Sequence, residues 1–229
     1  ISVLRGLYIS ASGMTTSLQK NDTISNNLAN INTSGYKKQR TIEKSFSEQM
    51  LVKMGGEKQQ ELGTISGGSI IEETATDYSA GHFKKTENKL DWAINGKGFF
   101  AIQTPQGVKY TKSGNFTINN NGQVVTQKGY PVKGENGILQ LPNANSNEIV
   151  IENNNLVVDG ITIDQIKVVD FPNKGALIRE GSTLFKRGPQ TGNELVGTGQ
   201  IVQGHLEKSN VNPIEEMTKM ISNSRRVYQ

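Results

Sequence analysis

An α+β fold, with coiled-coil-type helices at both ends of the chain flanking a mainly antiparallel, sandwich- or barrel-like β domain, is predicted by three observations. Residues 1–35 carry apolar side chains at helical spacing, and residues 207–229 carry a second such stripe. Between them the chain breaks into short β-prone runs punctuated by Gly and Asn, with no long helical pattern alternating among them. The predicted organisation is an N-terminal assembly helix (1–35), a linker or extended arm (36–64), a β-rich domain (65–206) and a C-terminal assembly helix (207–229), expected to be cut short.

In the first segment Leu4, Ala11 and Leu18 recur every seven residues, with Leu7, Met14 and Leu28 on the offset seam and Ile24 and Ile31 beside it. Asn21 and Ser25 interrupt the stripe, as a polar residue that sets register would. Gly35 is expected to cap the helix in the left-handed conformation, and Lys20 to lie on the outer face. Periodicity alone is compatible both with a helix pair packed on its own domain and with a seam between molecules. Residues 36–64 are polar, with room for a short helix through Phe46, Met50 and Leu51 before Gly55-Gly56.

The β region reads as runs such as GFFAIQT, GQVVTQ, NEIVIE, NLVVDG and DQIKVVDF. Hairpin turns are expected at Pro105-Gln106-Gly107, Asn120-Asn121-Gly122 and Asn153-Asn154-Asn155, because Asn and Gly tolerate positive φ. At the end, Ile214, Met217, Ile221, Ser224 and Tyr228 follow steps of three and four, with Met220 and Val227 widening the stripe. Asn212-Pro213-Ile214-Glu215 reads as a capping box with proline at the first helical position.

Composition sets the outer bounds. A chain of 229 residues can bury a sizeable core. Mean hydropathy is −0.50, and no segment approaches the ~20 apolar residues of a membrane span, so no membrane insertion is expected. Cysteine is absent, which removes disulfides and soft-metal thiolate sites. The net charge of +4 is concentrated in residues 1–60, where eight Lys or Arg face four acids. Lys37, Lys38 and Arg40 form the densest cluster, but no aromatics or recognition motif accompany them, so a solvated face or a protein contact is expected and no nucleic acid.

Catalytic and cofactor motifs fail in context. Gly96-Lys97-Gly98-Phe99-Phe100-Ala101 fits G-x-G-x-x-A, yet a strand follows it, leaving no helix N-terminus for a pyrophosphate; a tight turn packing two aromatics is the better reading. His82 and His205 stand apart without metal-ligand spacing. Glu72, Glu73, Asp77 and Asp91 are the acids a glycan hydrolase would draw on, and nothing in their spacing places two of them across a cleft. No enzyme, cofactor or metal is expected.

Two longer motifs narrow the reading. The stretch NNLANINTSGYK contains Asn26, Asn27, Leu28, Ala29, Asn30, Asn32, Thr33, Gly35 and Tyr36. It resembles the N-terminal signature of flagellar axial proteins, the rod and hook components of the bacterial flagellum. QGHLEKSNVNPIEEMTKMISNSRR, with Ser209, Asn210, Val211 and Asn212, is similar to the other end of the same family, and LDWAINGKGFFAIQTPQG and YTKSGNFTINNNGQVVTQKGYPV resemble its rod members. The resemblance implies a structural rod subunit that assembles through its terminal helices with itself and with other rod and hook subunits. It further implies passage unfolded through the flagellar type III export machinery, without a cleaved signal peptide, to a cell-wall-spanning rod in the basal body. An extracellular β-rich adhesion protein, a wall-active enzyme and, within the family, a hook-type subunit are the alternatives. An adhesin has no need of paired terminal stripes, and hook subunits usually carry further outer domains.

Overall fold

The computed structural model describes residues 2–45, 49–52, 61–65, 69–142 and 148–227, and the chain divides into two compact units. The first comprises Ile1–Ala29, Gln39–Asp77 and Asn212–Gln229. It holds two helices, α1 (Ser2–Ala29) and α2 (Pro213–Val227), and two nested antiparallel strand pairs. Gln39–Ser45 pairs with Ser69–Thr76 through a bulge at Ile42/Glu43, and Gln49–Val52 pairs with Glu61–Ile65. Met50 and Leu51 therefore belong to a strand, not to the short helix that their apolar character allowed; Phe46 and Gly55-Gly56 lie outside the described residues. A strand on offer as a pairing partner outweighs weak local helical preference.

α1 ends at Ala29, six residues before Gly35. α2 begins with the N-cap and first-turn proline that the sequence signals. The Asn212 side chain accepts from the backbone N–H groups of Ile214 and Glu215, Pro213 occupies the first turn, and Glu215 and Glu216 sit where the helix dipole favours acids. Asn212→Ala is expected to destabilise α2 by ~0.5–2 kcal/mol, read as lost helical ellipticity and an earlier melt.

The second unit, Asn30–Lys38 with Tyr78–Val211, is the β body. Its largest sheet is antiparallel, in the spatial order Ile178–Glu180, Leu184–Lys186, Gly107–Thr111, Phe99–Thr104, Val168–Asp170, Leu195–Val196. A three-stranded meander runs through Ile149–Glu152, Asn155–Val158 and Ile161–Gln165, and the remaining strands form two-stranded ribbons. The sheets do not close into a barrel. The six-stranded sheet ends in short edge strands at Ile178–Glu180 and Leu195–Val196, which find no further partner among the described residues.

The apolar run FFAIQT is buried on both faces. Phe100 and Ile102 point into one core with Trp92, Phe116, Val132 and Leu156, and Phe99 and Ala101 into a second with Tyr110, Val169, Phe171 and Phe185. Alternate residues of one strand thus serve two cores, which explains the absence of a polar/apolar alternation there. Burial of each large side chain is worth about 1.5–3 kcal/mol. Edge-on ring contacts, such as Phe100 to Phe116 at 5.1 Å and Tyr110 to Phe171 at 4.7 Å, add directional packing.

All three expected hairpins form. Asn153 and Asn154 both take positive φ, as a two-residue type I′ turn demands. Asp159-Gly160 makes a second such turn that the sequence reading missed, although Asp-Gly is a strong signal for it. The G-x-G segment is a turn between Trp92–Asn95 and Phe99–Thr104. A Cβ at Gly98 would stand 2.4 Å from Val168 Cγ1, so close packing and positive φ together account for the glycine.

Candidate functional site

The candidate site is the set of assembly positions predicted at the two ends. In the first unit α1 and α2 run antiparallel, joined through polar groups. Asn223 Nδ2 donates to the Ser17 carbonyl (2.7 Å) and to Asn21 Oδ1 (2.8 Å). Asn27 Nδ2 donates to Glu216 Oε2 (2.9 Å) and to the Gln39 carbonyl (2.9 Å), while its Oδ1 accepts from Gln39 N. The inward face of α1 therefore reads Thr16, Ile24 and Asn27, eight and three residues apart and so on one helix side, and that of α2 reads Glu216 and Asn223. Asn27, Glu216 and Asn223 are buried with their hydrogen bonds made, the condition under which burying them is tolerable.

The apolar stripes point elsewhere. Met14 is 52% exposed, Leu18 56%, Ile214 75%, Met217 54% and Ile221 57%; Ala11 is exposed too, and Leu28 and Met220 are half-buried. The expected coiled-coil packing through these positions is thus not what joins the two helices within the chain, because the polar faces take that contact. Tyr228 lies outside the described residues, as do the side chains of Leu4 and Leu7. Lys20, expected on the outer face, instead pairs with Glu43 at 2.5 Å.

In the second unit the two long motifs converge. Gly35 N donates to the Glu207 carbonyl (2.8 Å), and Lys38 N donates to Asn210 Oδ1 (2.7 Å). Gly35 takes φ +70°, but a Cβ there would lie 2.2 Å from Ser113 N, so this glycine serves the junction and is not the helix cap that was expected. Lys37 and Glu207 form a buried ion pair, Nζ to Oε1 2.6 Å, with side chains 0% and 1% exposed. Lys37 also donates to the Ser79 carbonyl, and Glu207 Oε1 accepts from Gly81 N. Tyr36 is fully buried beneath the Arg179 guanidinium, 4.8 Å from its ring centre. Asn210 bonds Ser79, Val211 is buried, Asn30 caps the turn to Thr33, and Asn32 is exposed; Asn26, Ala29 and Ser209 are exposed or half-exposed. No spacing rule links residues 170 positions apart, so the Lys37–Glu207 contact was beyond sequence reasoning.

Three families match separate stretches of the chain. The family described as flagella basal body rod protein matches residues 7–37, the flagellar hook protein FlgE/F/G D1 domain matches 93–173, and the flagellar basal body rod FlgEFG protein C-terminal family matches 202–226. The chain is 34% identical to the flagellar basal-body rod protein FlgG of Buchnera aphidicola subsp. Schizaphis graminum, over 99% of this chain and 93% of that one. The chain belongs to the flagellar basal-body rod protein family. It is 36% identical to FlgG of Bacillus subtilis, over 96% of this chain and 89% of that one, and 32% identical to FlgF of Caulobacter vibrioides, over 97% and 89%. Like these relatives, this rod-family chain is a structural subunit of the basal body, and its partners are other flagellar axial subunits.

Beside the motif junction of this rod-family chain lies Lys112, buried, its Nζ donating to the Gly96 carbonyl (3.1 Å) and standing over the Phe99 ring. Burial pushes the Lys112 ammonium down to about 8; the Glu207 carboxylate opposes this, and Lys37 and Lys174 reinforce it. Since the folded pKa lies below the unfolded one, the charged form costs stability at every pH below about 8, and that cost fades as pH rises toward 10.5. Lys112→Met is expected to raise stability at pH 7 by about 1–3 kcal/mol, the lost hydrogen bond offsetting part of the gain. Denaturant melts of parent and variant should converge between pH 8 and 10.5, and a difference that does not depend on pH would refute the assignment.

Proposed function

We propose that the terminal helices of neighbouring subunits pack through their outward apolar stripes into the tubular wall of the flagellar rod, with the β body setting lateral contacts. The observation that carries this is the exposure of Leu18, Ile214, Met217 and Ile221 on helices already sealed to each other by polar contacts. Apolar faces of this kind are satisfied by coiled-coil-type packing against a second helix pair. A head-to-tail contact that does not close builds a helical assembly, and such a rod transmits torque from motor to hook. Residues 1–35 and 207–229 are the assembly segments on this reading. The chain passes through the type III export machinery unfolded and takes its place in the cell-wall-spanning rod. Among the described residues no helix is long and apolar enough to cross a membrane.

Electron microscopy of isolated basal bodies carrying an epitope tag on this protein tests the placement. Label along the rod is expected. Label confined to the hook or filament would overturn the proposal.

A further inference from the structure

A cleft of about 270 Å³ in the β body is lined mostly by residues with polar side chains, with apolar surface between them. Its lining includes hydroxyl and carboxamide residues from separate segments, Ser34, Ser113, Asn115, Gln127, Ser182 and Thr183. Lys128 is the single charged side chain of the lining, and Phe116 and Tyr130 supply ring surface. With no carboxylate, histidine or thiol it has no ligand set for a metal, and one lysine without a helix N-terminus is poor provision for a phosphate.

Two of the carboxamides are already oriented. Asn115 Oδ1 accepts from Ser113 Oγ (2.6 Å), which leaves the Asn115 amide nitrogen as the donor of that side chain. Gln127 Nε2 donates to the Asn115 carbonyl (3.1 Å), which leaves Gln127 Oε1 as an acceptor. One donor on Asn115 and one acceptor on Gln127, the two residues tied by the Gln127 Nε2 bond to the Asn115 backbone carbonyl, match an acetamido group, which presents one C=O and one N–H. Hydroxyls around them suit a sugar ring, whose apolar C–H face can rest on an aromatic side chain.

We infer that this cleft binds a neutral N-acetylated saccharide. The rod function does not require such a site, so the inference stands apart from the assembly proposal. Its test is saturation-transfer NMR on the full chain with the trimer of N-acetylglucosamine, maltotriose as the sugar lacking acetamido groups, and a Ser/Thr-rich peptide in extended form. Transfer to the acetamido methyls is expected, and Gln127→Ala, at an exposed position, should weaken binding about tenfold without shifting the melt. No transfer from the trimer at ~10 mM, undiminished transfer in Gln127→Ala, or equal binding of maltotriose would overturn the assignment, as would binding of the peptide in place of the trimer.

Discussion

Leu18→Glu and Ile221→Glu are expected to abolish motility, with rods arrested at this subunit, while leaving the isolated chain as stable as before. Leu18 is 56% and Ile221 57% exposed in the single chain, so neither substitution opens a core or buries a charge there, and the melt should move by no more than about 0.5 kcal/mol. In the proposed seam the same side chains are packed. Removing one such contact costs ~2–5 kcal/mol, and burying the glutamate adds to it. Gln19→Glu is the control, placing the same charge one residue away on the exposed surface of α1. A motile Leu18→Glu strain with full-length rods would mean that the stripe is not an assembly seam. Loss of folding in the isolated variant would mean that the stripe packs within the chain.

The second large effect is expected in the β body itself. Lys37→Met removes the cation from an ion pair whose side chains are 0% and 1% exposed, and leaves the buried Glu207 carboxylate without its direct ion-pair partner. Breaking a buried pair from one side costs about 3–5 kcal/mol. Replacing both partners, Lys37→Met with Glu207→Gln, keeps an acceptor for Gly81 N and removes the charge, so at least half the loss should return. Urea unfolding of the parent, the two single variants and the double variant supplies the coupling energy. Strict additivity, or a cost below about 1 kcal/mol for Lys37→Met, would show that the pair does not lock the junction.

What could be read ahead of the fold followed from rules of short range. The N-cap at Asn212 with Pro213 behind it, the Asn153-Asn154 turn and the strand at Phe99–Thr104 each depend on a few consecutive residues, whose conformational preferences travel with them. The misreadings arose where a local signal was recruited for a distant contact. Gly35 has the left-handed φ of a helix cap, yet it serves an approach to Ser113, and Lys20 is drawn from the outer face to Glu43. Met50 and Leu51 lie in a strand because Glu61–Ile65 offers a pairing edge, which no window around them contains.

The sequence by itself determined that helices stand at both ends, that antiparallel β structure lies between them, and that the motifs at the two ends are those of the rod family, because periodicity, capping and motif identity are properties of contiguous residues. Only the tertiary structure decided which faces of those helices meet. Heptad spacing marks the apolar face as the one to bury, but Asn27, Asn21 and Asn223 complete their hydrogen bonds across the α1–α2 contact and hold the polar faces together. The apolar residues are thereby left outward. The same holds for Lys37 and Glu207: a buried charge needs a partner, and which partner it finds depends on the path of the chain through all the strands between them.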